Sequence, residues 1–293
     1  MVTIIKRRKG NEYYFYIRHN IRKDNKQKEI YLGRQIPKNI EEIKQNFLLG
    51  FYREQWLPKL EKIHQGYVKE KKRIPKHIIK KKMEIFSIRF TYNTQRIEGS
   101  TLTLKETADL LEEEIAPSNK PMRDVIEAQT HQKLFFEILS HGKELSLQTI
   151  CKWHKKLFKE TKQDIAGKIR DYDVRIGGSK FIPPKPEAVL LLLSDFFRWY
   201  RKNKAKLNPA ELSALVHLKF VTIHPFGDGN GRISRLMMNY VLNKFGYPML
   251  DIEYSDRRSY YNALERSQKA KNEMIFLQWF MKRYIKAHKE LLS

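Results

Sequence analysis

Residues 222–235 contain the side chains best suited to chemistry, and they read Thr-Ile-His-Pro-Phe-Gly-Asp-Gly-Asn-Gly-Arg-Ile-Ser-Arg. His224 has the ordinary pKa that suits a general base near neutral pH. Asp228 offers the hard oxygen ligand that Mg²⁺ prefers when phosphates supply other ligands. Arg232 and Arg235 lie three residues apart, so on a helix both can reach phosphate oxygens. This combination indicates phosphoryl or nucleotidyl transfer.

The backbone of the same stretch predicts a helix, a glycine-rich loop and a second helix. The apolar helical pattern over Pro209–Thr222 stops at His224, because proline disfavours the α conformation in the residue before it. Gly227, Gly229 and Gly231 allow positive φ angles and a close approach of the loop to a ligand. N–H groups where such a loop enters a helix bind anions. The spacing of the glycines matches neither a Walker A loop nor a Rossmann fingerprint.

At every position, residues 224–235 resemble the Fic family signature His-x-Phe-x-Asp/Glu-Gly-Asn-Gly-Arg-x-x-Arg. The similarity extends over about residues 84–290, including Ala166–Arg170 and Phe181–Pro184 before the signature and Arg258–Leu264 after it. The resemblance implies a mainly α protein, a Fic-type helical bundle with a small β-hairpin flap. It also implies an enzyme that transfers AMP from ATP to a Ser, Thr or Tyr hydroxyl of a target protein.

The resemblance assigns a role to each signature residue. His224 takes the proton of the attacking hydroxyl, Phe226 packs beneath the loop and fixes His224, and Asp228 holds Mg²⁺ between the α- and β-phosphates. The nucleotide phosphates are bound by Gly229, Asn230, Gly231, Arg232 and Arg235, with the two arginines at the β/γ end. In-line attack on the α-phosphorus releases pyrophosphate, so positioning and charge neutralisation supply most of the catalysis.

Two further groups of residues are implied to contact the substrates. The flap, a predicted β-hairpin over Val174–Phe181, pins the backbone of the target protein beside the active site. The residues expected to make this contact are Ile176, Gly177 and Phe181. Tyr260 and Tyr261 either lie near the adenine or serve only in helix packing. Gln268 departs from the asparagine that contacts the base in some relatives, which leaves that contact open.

A short inhibitory motif of the family precedes the core. Residues 94–99, Thr-Gln-Arg-Ile-Glu-Gly, fit its pattern Ser/Thr-x-x-x-Glu-Gly/Asn and stand where the N-terminally inhibited class has it. Apolar residues at helical spacing predict a helix over about residues 84–98, ended by Gly99, and the resemblance implies that this is the family's inhibitory helix. Glu98 would pair with Arg235 in the place of the γ-phosphate and leave the α-phosphorus misaligned. The alternative is a surface glutamate at a helix end.

The resemblance does not cover the N-terminal region, so we predict two domains, residues 1–82 and the Fic domain of residues 83–293. The first begins with a small antiparallel sheet and continues into a basic helical stretch. Its strands are predicted at Val2–Lys6, Tyr13–Arg18 and Lys28–Leu32, with turns at residues 9–11 and 23–26. Residues 1–82 contain 23 basic and 8 acidic side chains, of 58 and 33 in the whole chain.

The net charge of +25 favours polyanionic partners, among them nucleic acid, ATP and acidic protein surfaces. A general bias toward lysine explains the charge equally well. A second hypothesis therefore stays open, in which a nucleic-acid-binding regulatory or toxin-like module uses the basic N-terminal region. A Fic enzyme that mainly removes AMP, and a homodimer, also stay open.

Several classes of protein are excluded. A membrane span needs about 20 apolar residues, and the longest apolar stretch, Ala188–Arg198, is interrupted by Asp195. The N-terminus lacks the apolar segment of a signal peptide. Cys151 is the single cysteine, so an internal disulfide and a cysteine-rich metal site are ruled out. These features favour a soluble cytoplasmic protein.

Overall fold

The computed structural model describes residues 2–21 and 26–292. The chain divides into two compact units, residues 1–59 and residues 60–293. The domain boundary that we predict between residues 82 and 83 stays a prediction, and it lies inside a helix. Residues 23–25 of the second predicted turn lie outside the described residues.

The first unit contains the predicted antiparallel sheet, with strand order β1-β2-β3. The strands are β1 (Val2–Lys9), β2 (Glu12–Ile21) and β3 (Lys26–Gly33). Ile17 is fully buried, and the His19 ring meets Phe51 of the following helix edge to face, with 4.8 Å between the ring centroids. Side chains alternate across a strand, so this face of β2 builds the core of the unit.

Ten α-helices lie in the part of the chain that the structure describes, which confirms the mainly α prediction. They are α1 (Ile40–Arg73), α2 (Lys76–Ile97), α3 (Leu104–Glu112), α4 (Met122–Leu139), α5 (Leu147–Phe158), α6 (Pro186–Asn203), α7 (Pro209–Ile223), α8 (Asn230–Lys244), α9 (Arg257–Lys269) and α10 (Glu273–Ala287). In the described residues every helix is too short or too polar to cross a membrane.

Helix α7 lies at the centre of the second unit, where it packs against α6, α8 and α10. It is apolar around most of its circumference, as expected of a helix enclosed by others. Its residues Leu212, Val216 and Phe220 are fully buried, and α8 buries Ile233 and Met237 in the same core. The loop of residues 224–229 is therefore held at both ends by helices that cannot shift independently.

Helix α2 ends where the inhibitory motif predicts. Gly99 follows with φ 100°, a conformation that glycine adopts readily. The Ser100 N–H donates to the Gln95 carbonyl, 2.9 Å away, which closes the helix end. The helix begins at Lys76, directly after Pro75, and is thus longer than the predicted inhibitory helix. Its C-terminal turn carries Glu98 toward the start of α8.

The flap segment differs from the β-hairpin predicted over Val174–Phe181. The described residues of this segment form no strand; they make a turn at Gly177–Gly178. One backbone hydrogen bond closes the turn, from the Ser179 N–H to the Ile176 carbonyl at 3.1 Å. The Ser179 hydroxyl donates to Glu265 on α9 at 3.1 Å. The segment is thus tied to α9 rather than to a second arm of its own.

Candidate active site

His224 ends α7 in the left-handed region, with φ 53° and ψ 59°. A non-glycine residue keeps this uncommon conformation only where its surroundings fix it. Its N–H donates to the Phe220 carbonyl at 3.1 Å, and its ring Nδ1 lies 3.2 Å from the Val221 carbonyl. A carbonyl can only accept, so Nδ1 carries the proton. The other ring nitrogen, Nε2, is left with the lone pair of a base.

Arg170 fixes the peptide that carries this histidine. Its side chain is buried, and Nε donates to the His224 carbonyl at 2.8 Å. Its backbone N–H donates to the Pro225 carbonyl at 3.0 Å. The remaining guanidinium nitrogens donate to the carbonyls of Tyr172 and Pro184, at 2.9 and 2.6 Å, one on either side of the flap segment. One buried cation therefore positions both the flap and the histidine loop.

Phe226 and Asn230 close the loop from below. Phe226 is fully buried and stacks on His154, with ring centroids 3.8 Å apart. The Asn230 side chain donates to the Phe226 carbonyl and accepts from the Phe226 N–H, both at 2.9 Å. Both polar atoms of this amide are thus used within the loop. What Asn230 offers to a phosphate is its backbone N–H, at the first turn of α8.

His154 supports the loop in its neutral form. Burial lowers its pKa to about 4. Its Nδ1 accepts from the Gly167 N–H at 2.9 Å, so the proton is on Nε2, which donates to the Asp228 carbonyl at 3.0 Å. The imidazole thereby holds the glycine-rich backbone in one conformation.

Gly229 and Gly231 allow close approaches that no other residue would. A Cβ atom on Gly229, which has φ 75°, would lie 2.2 Å from the Phe158 ring. A Cβ atom on Gly231 would lie 2.3 Å from Oε1 of Glu98. The Glu98 carboxylate at the end of α2 therefore lies directly against the backbone at the start of α8.

Glu98 forms an ion pair with Arg235. Nη2 of Arg235 lies 2.6 Å from Oε1 of Glu98. The arginine side chain is 1% exposed and that of the glutamate 22%. Nε of Arg235 donates to the Thr94 hydroxyl at 2.5 Å, and Nη1 donates to the Tyr260 hydroxyl at 3.3 Å. The two ends of the inhibitory motif, Thr94 and Glu98, thus bind the last arginine of the signature.

Tyr260 and Tyr261 both lie near Arg235 and Glu98, but they make different contacts. Tyr260 is fully buried, and its hydroxyl lies 2.8 Å from Nε2 of His217. It therefore supports Arg235 from the core. Tyr261 is partly exposed, and its hydroxyl donates to the Ile97 carbonyl at 3.2 Å. Gln268 donates to the Thr222 hydroxyl at 3.2 Å.

Arg232 is placed differently from Arg235. Its side chain is 3% exposed and pairs through Nη1 with Glu127 of α4. The same nitrogen donates to Oε1 of Gln95 at 3.2 Å, and the guanidinium lies 4.6 Å from the centroid of Phe158. Whereas the resemblance implies phosphate binding by Arg232, its guanidinium is engaged by α2, α4 and α5.

Asp228 is ionised and already faces cations. Its Oδ1 accepts from the Gly229 N–H at 2.5 Å, and its Oδ2 contacts Nζ of Lys162 and, at 3.4 Å, Nη2 of Arg232. Burial raises the pKa of Asp228, but Arg232 and Lys162 outweigh it and bring the pKa to about 2. The side chain is 42% exposed. The described residues contain no group of three or more His, Cys, Asp or Glu side chains placed to hold a metal. A single ionised carboxylate fits Mg²⁺ that takes its other ligands from phosphates and water.

One cavity of about 240 Å³ joins most of these parts. The predicted site residues that line it are Glu98, Ile176, Gly177, His224, Gly231, Arg235, Tyr260 and Tyr261. The predicted site residues outside its lining are Phe181, Asp228, Gly229, Asn230 and Arg232. The cavity thus brings a neutral base, a buried guanidinium and the start of a helix together, which suits an anionic substrate that reacts with a hydroxyl.

Four residues of the site have no signal in the signature. Three of them are far along the chain from the residue that they contact, so only the fold brings them together. Arg232 is contacted by Glu127 and Gln95, and Asp228 is contacted by Lys162. His154 precedes the loop by more than 70 residues. Its position on α5, one helical turn before Phe158, gives no sign of this role.

Comparison with known proteins finds a family domain and relatives of known name. The model of the Fic/DOC family matches residues 144–242. Protein adenylyltransferase Fic of Drosophila ananassae is 34% identical over 178 residues, which are 59% of this chain and 35% of that protein. The protein of the same name from Drosophila melanogaster is 34% identical over 178 residues, 59% of this chain and 36% of that protein. The chain thus spans about a third of the length of these curated relatives.

Two solved structures share the fold. A Fic domain containing signaling protein from Bacteroides thetaiotaomicron aligns with a TM-score of 0.71 and 24% identity, over 80% of this chain and 95% of that one. Fic-1 from C. elegans aligns with a TM-score of 0.72 and 22% identity, over 89% of this chain and 79% of that one. The family match confirms the resemblance seen in residues 224–235, and the two structures share the fold of this chain. The chain therefore contains a Fic/DOC family domain, at residues 144–242.

Proposed function

We propose that this chain is a protein adenylyltransferase, which transfers AMP from ATP to a side-chain hydroxyl of a target protein. The observation that carries this proposal is the single cavity lined by His224, by Arg235 and by Gly231 at the start of α8. The names of the curated relatives support the same activity.

The reaction uses this chain's groups in a fixed order. Arg235 and the backbone N–H groups at the start of α8 bind the triphosphate. The target hydroxyl loses its proton to Nε2 of His224, and its oxygen attacks the α-phosphorus in line. The bond to the β-phosphate oxygen breaks, and pyrophosphate leaves. Asp228 would hold Mg²⁺, whose charge neutralises the phosphates when it is bound.

Glu98 inhibits this reaction in our proposal. Its carboxylate holds the guanidinium of Arg235, which the γ-phosphate of ATP requires. The guanidinium is 1% exposed and already paired with Glu98, so ATP has to compete with an internal ligand. Nucleotide bound beside Glu98 would have a misaligned α-phosphorus.

Labelled ATP tests the activity. The Glu98→Gly variant is incubated with cell extract and with ATP labelled at either the α- or the γ-phosphate. We expect label on protein from α-labelled ATP and none from γ-labelled ATP. Label from the γ-phosphate would show a kinase-like reaction, and no label from either would contradict the proposal. Release of AMP from labelled protein by the parent enzyme would reveal the reverse reaction.

The pH dependence follows from His224. Burial lowers its pKa below the ordinary value of 6.5. A base must be neutral to accept a proton, so the rate rises with pH through this pKa and is constant above it. We expect initial rates of AMP transfer by Glu98→Gly to differ by less than about twofold between about pH 7 and about pH 8. A rate that climbs steadily across that interval would show a base of higher pKa.

A second candidate function, nucleic-acid binding by the first unit, is favoured by one face of its sheet. The rings of Tyr16 and Tyr31 lie 5.3 Å apart, and the guanidinium of Arg7 lies 4.8 Å from the centroid of Tyr16. Tyr31 is 54% exposed. Aromatic rings beside basic side chains bind bases by stacking and phosphates by charge.

Fluorescence anisotropy with a labelled single-stranded oligonucleotide tests this candidate. We expect binding that weakens steeply with salt, and about tenfold weaker binding for Tyr31→Ala, because one base loses its stacking partner. Affinity that is unchanged in Tyr31→Ala would contradict a role for this face.

A further inference from the structure

Lys162 holds the carboxylate of Asp228 although it is no part of the signature. It lies in the loop after α5, where its N–H donates to the Phe158 carbonyl at 2.8 Å and its carbonyl accepts from the Ala166 N–H at 3.1 Å. Its Nζ contacts Oδ2 of Asp228 and lies 3.7 Å from Oε1 of Glu127. The backbone of Lys162 is thus fixed, and its side-chain ammonium contacts Oδ2 of Asp228, which lies 3.4 Å from Nη2 of Arg232.

The charges around this carboxylate sum to zero. Asp228 and Glu127 are paired with Lys162 and Arg232. Arg232 is locked, because its side chain is 3% exposed and Glu127 and Gln95 hold it. The lysine side chain is 23% exposed and sits on a flexible four-carbon stem. Of the two cations, Lys162 is therefore the one that can leave.

We propose that Lys162 is a resident counter-ion of Asp228 that competes with divalent cations for this carboxylate. The contact between the Lys162 ammonium and Oδ2 of Asp228 carries the inference. Only the identity of the natural cation rests on the proposed function. A divalent ion can take the place of the ammonium on Oδ2 only when Lys162 moves away, and nearby phosphates would add negative charge that favours the ion. Lys162 thereby makes occupation of Asp228 by a free cation unfavourable and favours a cation that arrives with a nucleotide.

Binding of Mn²⁺ alone, measured by electron paramagnetic resonance on the full chain, tests this proposal without any catalytic step. The variant Lys162→Met keeps a stem of similar length over the Phe158 ring and removes the charge. We expect its Kd for Mn²⁺ to be about tenfold lower than that of the parent, since a half-buried ion pair no longer competes. The control Lys159→Met, whose exposed side chain pairs with Glu160 at 3.4 Å, should leave the Kd unchanged.

Two further variants show where the ion binds. Asp228→Asn combined with Lys162→Met should abolish the gain, and Lys162→Arg, which keeps the charge, should bind Mn²⁺ like the parent. Equal Kd values for Lys162→Met and the parent would overturn the proposal, as would a gain that survives Asp228→Asn. If AMP transfer is absent and the gain is present, the counter-ion role stands and the proposed function fails. If the gain is absent and AMP transfer is present, the counter-ion role fails and the proposed function stands.

Discussion

Replacement of His224 by alanine is expected to lower the rate of AMP transfer about a thousandfold, within the range that a general base contributes. The Val221 carbonyl fixes the proton on Nδ1, so Nε2 faces the reaction as a lone pair, and alanine offers no substitute. The measurement is the initial rate of α-label incorporation, in the Glu98→Gly background so that the parent rate is high.

Measuring the affinity of His224→Ala for ATP shows whether its lower rate comes from loss of the base or from misfolding. Since the phosphates are bound by α8 and Arg235, the Kd for nucleotide should change by less than about threefold in His224→Ala. His77→Ala, which alters an exposed histidine of α2, is the matched control and should transfer AMP at the parent rate. If His224→Ala keeps more than about a third of the parent activity, another group is the base.

Glu98→Gly should raise the rate of AMP transfer about 10- to 100-fold. The substitution frees the guanidinium of Arg235, which then binds the γ-phosphate and aligns the α-phosphorus with Nε2 of His224. Thr94 and Tyr260 keep Arg235 in place after the carboxylate is gone. Initial rates of label incorporation for the parent and the variant, at saturating ATP, measure the effect.

Two glutamine variants on or beside the same helix control for charge and position. Glu98→Gln keeps the shape of the side chain and loses the ion pair, so we expect activation between those of the parent and Glu98→Gly. Glu84→Gln removes a glutamate that lies 3.9 Å from Lys80, well away from the site, and should have no effect. Equal incorporation of AMP by the parent and Glu98→Gly would remove the inhibition model.

The sequence predicted the parts of the fold that local rules determine. The three strands, the helix that stops before Pro225 and the helix end at Gly99 each follow from periodicity or from one punctuating residue. The signature over residues 224–235 also identified the family, because its order of residues is long and specific. Local rules failed at Val174–Phe181, where alternating apolar residues around two glycines favour a hairpin and the Ser179–Glu265 contact favours a turn tied to α9.

The ion pairs of the site could not be predicted. Arg232 and Arg235 look equivalent on a helix face, and only the packing of α4 against α8 assigns the first to Glu127 and leaves the second for Glu98. Lys162 is one of 58 basic residues in the chain, and nothing near it in sequence marks it as the partner of Asp228. Such pairs depend on the tertiary fold rather than on spacing.

A crystal structure of Glu98→Gly with a non-hydrolysable ATP analogue and Mn²⁺ tests directly whether Arg235 binds the γ-phosphate and His224 faces the α-phosphate. We expect the γ-phosphate on Arg235, where the Glu98 carboxylate now lies, and the α-phosphate beside Nε2 of His224. A nucleotide bound away from Arg235, or an imidazole turned from the α-phosphate, would contradict this expectation.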